Sequence, residues 1–210
     1  MTSPASRPSP FDAIVRSVLT HPLALAMKRR LRDARWRRRG DVFRNPAVPG
    51  EVRQIVFVCL GNICRSPFAA VLMQHRLAEL GIDVTIASAG LNTRQGNRPP
   101  DAAVRAAHRY GCDLDGRTPV SLSDDTIAAS DMIVAMEMAH IEQLQARWPE
   151  WRDRYFLLPL FEPPAAVAGA FERFNLADPF GKDDAEFARC YERIDRAVAA
   201  LLPQLRPARR

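Results

Sequence analysis

The chain has 210 residues, of which 47% are hydrophobic and 26% charged, a composition typical of a soluble globular protein with one compact domain and an extension. Residues 1–50 hold 11 Lys or Arg against 3 Asp or Glu, whereas residues 51–210 hold 19 basic against 21 acidic residues. The body therefore lacks the net basic surface that nucleic acids require, and we expect no nucleic-acid partner.

Residues 1–50 are predicted to be a basic, partly helical extension that ends in a linker at 45–50. Five apolar residues recur at helical spacing and predict a first helix: Phe11, Ile14, Val15, Val18 and Leu19. A second helix is predicted to begin near Pro22 and to carry most of the arginines of this segment. The extension is either a solvated tail or a surface that docks on an anionic membrane or an acidic partner.

From residue 51, strands and helices alternate along the chain. The predicted strands are 54–59, 84–88, 132–136 and 155–158, and the predicted helices are 66–80, 101–110, 138–147 and 184–202. This alternation predicts βαβ units, and hence a parallel sheet with helices on both faces. Ligands of such folds bind beyond the carboxyl ends of the strands.

The four cysteines and the apolar segments exclude several further classes. The cysteines form no Cys-x-x-Cys pair and no cluster at zinc spacing, which argues against a disulfide scaffold or a zinc ribbon. No apolar run approaches the roughly 20 residues of a membrane span, and the first residues lack the order of a secretion signal. We therefore expect a cytoplasmic protein.

The segment between the first strand and the next helix carries the clearest chemical signal. It is a Cys-x5-Arg loop that reads Cys59, Leu60, Gly61, Asn62, Ile63, Cys64, Arg65, Ser66. In such a turn the backbone N–H groups converge on one point, and the following helix adds its positive end. Gly61 and Asn62 tolerate the left-handed backbone that a curled loop needs. The loop therefore predicts a site for a phosphate group.

Two side chains of this loop predict what happens to that phosphate. Arg65 has a planar guanidinium that can hold two phosphate oxygens at once. Cys59 lies at the base of the loop, where the positive environment favours the thiolate. A nucleophilic cysteine beneath a bound phosphate predicts phosphoryl transfer to sulfur.

The loop resembles the signature of the low-molecular-weight protein tyrosine phosphatases. Ser88-Ala89-Gly90 after the second strand and Asp178-Pro179-Phe180 before the last helix also resemble motifs of this family. The resemblance covers about residues 53–203 and leaves the extension outside. It implies a three-layer α/β sandwich on a short parallel sheet of about four strands, with residues 51–210 as the phosphatase domain. It also implies hydrolysis of phosphate monoesters without a metal or cofactor.

The resemblance assigns a role to each site residue. Cys59 attacks phosphorus and forms a cysteinyl-phosphate, while Arg65 and the N–H groups of residues 60–64 stabilise the equatorial oxygens. Ser66 hydrogen-bonds the departing thiolate. Asp178 protonates the leaving phenolate and then activates water, and Phe180 walls the pocket. In bacterial members the substrate is often a tyrosine kinase that controls capsule or exopolysaccharide export.

Three departures from the family pattern leave the substrate preference open. Arg94 stands about where many members carry an aromatic residue that lines the substrate pocket. It is either a cation that favours acidic sequence around a phosphotyrosine or simply a surface arginine. The histidine that often supports the loop asparagine is replaced near Arg117. Phe180 and Gly181 stand where many members have two tyrosines, so regulation by phosphorylation there is lost.

Three alternative functions are to be separated from a tyrosine phosphatase. An arsenate reductase needs two further cysteines close together, and Cys112 and Cys190 are far apart in sequence. A phosphoarginine phosphatase tends to have threonine where this chain has Ile63, whose branched side chain should crowd out a guanidino-phosphate. A non-catalytic phosphate-binding module would not need both Cys59 and Asp178.

Cys64 is predicted either to pair with Cys59 on oxidation or to pack beneath the loop.

Overall fold

The computed structural model describes residues 26–27, 30–36 and 43–205. The chain divides into two compact units, residues 1–42 and residues 43–210. In the first unit, residues 26–27 and 30–36 are helical and fall within the second helix predicted for the extension. The predicted first helix lies outside the described residues. No helix in the described part is long and apolar enough to cross a membrane.

The second unit contains a sheet of four parallel strands, as the alternating pattern predicts. The strands are β1 (Gln54–Cys59), β2 (Thr85–Gly90), β3 (Met132–Ala135) and β4 (Tyr155–Leu157). Their order is β2-β1-β3-β4, and every neighbouring pair is parallel. Because β1 has β2 on one side and β3 on the other, the direction of winding changes at β1. A crevice opens at such a switch point, beyond the carboxyl end of β1.

Helices cover both faces of this sheet. They are α1 (Arg65–Glu79), α2 (Asp101–His108), α3 (Asp124–Ala129), α4 (Met138–Arg147), α5 (Ala170–Phe174) and α6 (Asp184–Leu201). Alternate residues of β1 point to opposite faces. Ile55 and Phe57 belong to a core cluster with α1, α2 and α6, whereas Val56 and Val58 belong to a second cluster with α3 and α4. Two cores on one sheet confirm the three-layer α/β sandwich.

Two short helices, α3 and α5, were not expected from the sequence. Each spans only five or six residues, too short for an apolar period to stand out. The backbone N–H of Thr126 donates to Ser123 Oγ (3.2 Å) and thereby caps the start of α3.

The compact unit begins at Phe43, ahead of the predicted boundary at residue 51. The Asn45 side-chain amide donates to the carbonyl of Leu157 (3.2 Å), and Asn45 Oδ1 accepts from the N–H of Leu157 (2.7 Å). β4 is an edge strand, and these two hydrogen bonds satisfy backbone groups that an edge strand leaves unpaired. Part of the predicted linker is therefore packed against the sheet.

Candidate active site

The loop between β1 and α1 is held in a curled conformation by Asn62. This residue has a φ of +53°, in the left-handed region that asparagine tolerates. Its side-chain amide donates to Ser66 Oγ (2.9 Å) and to Ser88 Oγ (3.0 Å), and its Oδ1 accepts from the backbone N–H of Val120 (2.8 Å). Ser88 on β2 and the backbone at Val120 therefore hold this side chain in place.

Cys59 ends β1 at the base of the loop and receives two hydrogen bonds on its sulfur. The backbone N–H of Asn62 donates to Cys59 Sγ (3.2 Å), and the Ser66 hydroxyl donates to the same atom (3.1 Å). The following helix α1 begins at Arg65 without a side-chain cap, so its first N–H groups are free to face an anion. Both donors and the helix terminus stabilise negative charge on this sulfur.

Arg65 is a buried cation that three parts of the fold hold in place. Its side chain is 2% exposed; Nη1 donates to the carbonyl of Leu176 (2.9 Å), and Nη2 lies 3.0 Å from Asp178 Oδ2. Nη1 also lies 3.5 Å from Glu137 Oε1. Burial disfavours the charge of Arg65, but Cys59, Asp178 and Glu137 more than offset that effect and raise its pKa. The guanidinium is therefore a permanent positive charge at the base of the site.

The Nε–H of Arg65 is buried and has no acceptor among the described residues. An unpaired buried donor is costly unless a ligand satisfies it. Together with Nη2, which faces Asp178, it forms one edge of the guanidinium. Such an edge matches two oxygens of a phosphate.

Glu137 and His140 are functional candidates that the sequence analysis missed. Glu137 Oε1 lies 3.1 Å from His140 Nε2 and is also the oxygen that faces Arg65. Burial opposes the ionisation of Glu137, but the hydrogen bond with His140 and the charge of Arg65 lower its pKa. One signal in the sequence was available, because Glu137 closely follows β3 and so lies at the same edge of the sheet as the loop.

Asp178 reaches the loop because its own segment is attached to the end of β3. The N–H of Leu176 donates to the carbonyl of Met136 (2.9 Å), and Asn175 forms a bridge with Glu137. The N–H of Phe180 donates to Asp178 Oδ1 (3.3 Å), so the Asp-Pro-Phe sequence forms a tight turn. Asp178 is exposed to solvent, its carboxylate faces the Arg65 guanidinium, and it lines the same cavity as Cys59.

These residues surround one cavity of about 340 Å³. Its lining residues are Cys59, Leu60, Gly61, Ile63, Cys64, Arg65, Asn92, Arg94, Asn97, Asp178 and Phe180. The structure thus brings eight of the predicted site residues to the cavity wall and places Asn62 and Ser66 behind the loop. Asn92 and Asn97 were not expected, and they enter with the segment that follows β2.

The other cysteines are buried and remain thiols at neutral pH. Burial raises the pKa of Cys64 far above its ordinary range, that of Cys112 to about 11 and that of Cys190 to about 12. A neutral thiol is a poor nucleophile, so these groups are unsuited to the disulfide relay of an arsenate reductase. Within the described ranges, no group of three or more His, Cys, Asp or Glu residues is placed to hold a metal ion.

Comparison with known proteins identifies the family of this chain. The sequence model described as "Low molecular weight phosphotyrosine protein phosphatase" matches residues 54–210. The probable low molecular weight protein-tyrosine-phosphatase EpsP of Ralstonia nicotianae is 30% identical over 155 residues, which is 74% of this chain and 97% of that protein. The low molecular weight protein-tyrosine-phosphatase Wzb of Escherichia coli K12 is 31% identical over 144 residues, which is 69% of this chain and 89% of that protein.

Solved structures agree with this match. The tyrosine phosphatase AmsI of Erwinia amylovora is 28% identical with a TM-score of 0.64, over 73% of this chain and 93% of that one. The YwlE arginine phosphatase of Geobacillus stearothermophilus is 26% identical with a TM-score of 0.61, over 72% of this chain and 91% of that one. The matched family model spans more than half of the sequence and includes the whole site. This chain therefore belongs to the low molecular weight phosphotyrosine protein phosphatase family.

Proposed function

We propose that the unit from Phe43 onward hydrolyses phosphotyrosine in proteins through a cysteinyl-phosphate intermediate. The observation that carries the proposal is one cavity that holds the Cys59 sulfur with its two hydrogen-bond donors, the buried guanidinium of Arg65 and the carboxylate of Asp178. A nucleophile, an anion holder and a proton donor are the three groups that this reaction needs.

In the first step the thiolate of Cys59 attacks phosphorus. The new P–S bond forms as the P–O bond to the phenol breaks, and Asp178 in its acid form donates its proton to the phenolate oxygen. The Nε and Nη2 groups of Arg65 and the N–H groups of the loop hold the three equatorial oxygens. Leu176 and Glu137 keep the guanidinium in place, so little reorganisation is required.

In the second step water attacks the phosphorus of the cysteinyl-phosphate. Asp178, now a carboxylate, takes the proton from this water, and inorganic phosphate leaves as the P–S bond breaks. The electron pair returns to Cys59 Sγ, where the Ser66 hydroxyl and the Asn62 N–H stabilise the thiolate. The enzyme then returns to its starting state.

The second candidate is phosphoarginine, which the similarity to the Geobacillus enzyme brings into consideration. Ile63 argues against it, because its branched side chain lines the cavity and is itself buried. A flat phenyl ring fits beside such a side chain better than a wider guanidino group does.

A matched panel of peptides that carry phosphotyrosine, phosphoserine or phosphoarginine tests the proposal. We expect wild-type protein to hydrolyse phosphotyrosine at least tenfold faster than the other two, by kcat/KM. Cys59→Ser on the same panel shows which release of phosphate depends on the thiolate. Faster hydrolysis of phosphoarginine would overturn the assignment, and Ile63→Thr then shows whether this side chain sets the preference.

For the protein substrate, we propose a bacterial tyrosine kinase of a capsule or exopolysaccharide export system. The support is the resemblance of the site motifs to bacterial members of the family. Incubation of wild-type protein with an autophosphorylated kinase of this class, followed by an anti-phosphotyrosine blot, should show loss of signal. Cys59→Ser should leave the signal intact, and an unchanged signal with wild-type protein would contradict the proposal.

For the basic extension, we propose attachment to an anionic membrane surface. The support is its 11 basic against 3 acidic residues within residues 1–50, since each basic residue near such a surface contributes about 1 kcal/mol and less as salt rises. Cosedimentation with vesicles that contain phosphatidylserine should show binding of the full chain that weakens at high salt. A chain that lacks residues 1–42 should stay in solution, and equal binding of both chains would contradict the proposal.

A further inference from the structure

The segment that follows β2 forms one side of the cavity mouth and is attached directly to the loop. The N–H of Leu91 donates to the carbonyl of Cys59 (3.0 Å), and the N–H of Asn92 donates to the carbonyl of Leu60 (2.8 Å). These two hydrogen bonds continue the pairing of β2 with β1 past the end of the strands. The segment therefore has a defined position relative to the nucleophile.

Gly90 allows this close approach. A Cβ at this position would lie 2.6 Å from Thr93 Cγ2 and 2.9 Å from the carbonyl oxygen of Leu60, and both distances are shorter than real Cβ contacts. Beyond it, the N–H of Asn97 donates to the carbonyl of Arg94 (3.2 Å), and Gly96 has a φ of +83°. The segment thus turns back on itself and places Arg94 at the mouth.

Arg94 differs from the other charged groups that line the cavity. Arg65 is buried and faces Asp178, the acidic residue among those that line the cavity. Arg94 is exposed, and within the described residues its side chain has no ion pair or hydrogen bond. Its guanidinium is therefore available to a group on the substrate.

Two of the remaining mouth residues are apolar and suited to the ring of the substrate. Leu60 is 41% exposed and Phe180 is 57% exposed, although both are large apolar side chains. They lie on the wall of the same cavity as Cys59. A phenyl ring between them covers apolar surface that is otherwise in water. Arg94 lines the same cavity, so it lies beside the place where such a ring would bind.

We propose that Arg94 binds the carboxylate of a residue adjacent to the phosphotyrosine, so that the preferred substrates carry Asp or Glu beside it. The inference rests on the proposed function and names the sequence class of the substrate. A guanidinium binds a carboxylate with two parallel hydrogen bonds. An exposed charge pair of this kind changes affinity by up to about fivefold, and salt weakens it.

The test compares peptides that differ only in charge. One phosphotyrosine peptide is made with Glu, Gln or Lys on both sides of the phosphotyrosine, and kcat/KM is measured for each peptide at low and at high salt. The variants are Arg94→Gln, Arg94→Glu and the matched control Arg98→Gln. Arg98 is an exposed arginine of the same segment that does not line the cavity.

For wild-type protein we expect kcat/KM to be about two- to fivefold higher with Glu than with Gln at low salt, mostly through KM. This ratio of kcat/KM for the Glu peptide to that for the Gln peptide should persist in Arg98→Gln and fall to about one in Arg94→Gln. In Arg94→Glu the preference should reverse, so that the Lys peptide becomes the best of the three substrates. Each ratio is taken within one protein, so a general loss of activity in a variant cancels. High salt should bring the wild-type ratio toward one.

Two failures can be told apart. If the wild-type protein hydrolyses all three peptides at equal rates, or if Arg94→Gln keeps the wild-type ratio, the inference about Arg94 is wrong while the proposed function stands. If no phosphotyrosine peptide is hydrolysed, the proposed function itself is wrong.

Discussion

The residues beneath the cavity and those at its mouth differ sharply in how the fold constrains them. The floor residues, defined as Cys59, Asn62, Arg65 and Ser66, are 0–4% exposed and joined by hydrogen bonds to each other and to distant segments. The mouth residues, defined as Leu60, Arg94 and Phe180, are exposed. Chemistry that needs atoms held within a few tenths of an ångström is thus placed where the fold determines each position. The mouth, where we propose that the substrate is recognised, consists of side chains that can change without disturbing the fold.

The largest effect is expected at the floor, from Cys59→Ser. Loss of the thiolate nucleophile should lower kcat for an aryl phosphate by about four powers of ten or more. Binding of phosphate or vanadate should remain measurable by calorimetry, because Arg65 and the loop N–H groups are unchanged. Turnover above about one percent of wild type would contradict the role of Cys59.

Asp178→Asn comes next, at the boundary between floor and mouth. The variant lacks the proton donor, so kcat for phosphotyrosine should fall about 10²- to 10³-fold. A substrate with a strongly acidic phenol needs no proton on its leaving group and should lose much less. The pH profile of kcat/KM should also lose one limb. Equal losses on both leaving groups would mean that Asp178 has only a structural role.

Glu137→Gln tests whether the floor depends on a residue outside the loop. The variant keeps the shape of the side chain but loses the charge that faces Arg65, so kcat/KM should fall about tenfold, with partial recovery in Glu137→Asp. The inhibition constant of added phosphate, measured with phosphotyrosine as substrate, separates the two possible causes of this loss. Weaker inhibition by phosphate indicates weaker anion binding, whereas a general loss of fold lowers activity without changing the inhibition constant. Unchanged kinetics would show that Glu137 is not needed to position Arg65.

The same variant has an expected signature in stability. Because the pKa of Glu137 is lowered on folding from an ordinary value of 4.5, its ionised form stabilises the folded state above about pH 4.5. This contribution is lost as the pH falls through the lowered value. The difference in unfolding free energy between wild type and Glu137→Gln, measured by urea denaturation, should therefore shrink as the pH is reduced below about 4.5. A difference that does not vary with pH would contradict the lowered pKa that His140 and Arg65 give to Glu137.

The smallest effect is expected at the mouth, from Phe180→Ala. The side chain is largely in water, so its removal should leave the unfolding free energy within about 0.5 kcal/mol of wild type. It should raise KM for phosphotyrosine peptides a few-fold, through loss of contact with the ring, while kcat changes little. Leu80→Ala, which removes another exposed apolar side chain that does not line this cavity, is the matched control. A large fall in kcat would show that this turn also positions Asp178.

Local patterns in the sequence predicted much of the site. The strand ending at Cys59, the helix beginning at Arg65 and the glycine and asparagine between them lie within a few residues of each other. Their residue types also restrict the backbone directly. The parallel sheet followed from the alternation of strands and helices, because parallel strands need such crossovers. Asp178 was predicted through the resemblance, since an Asp-Pro turn has many other uses.

Other features depended on tertiary structure, because they join segments far apart in the chain. Alternation of elements predicts parallel strands but not their order, and the order β2-β1-β3-β4 is what brings the end of β3 beside the loop. That neighbour supplies Glu137 and anchors the segment of Leu176 and Asp178. The hydrogen bonds of Asn62 with Ser88 and Val120 likewise join segments that are far apart in the chain. The sequence by itself determined which groups we propose for the chemistry, and the sheet order decided what holds them in place, because hydrogen bonds between distant segments leave no local pattern.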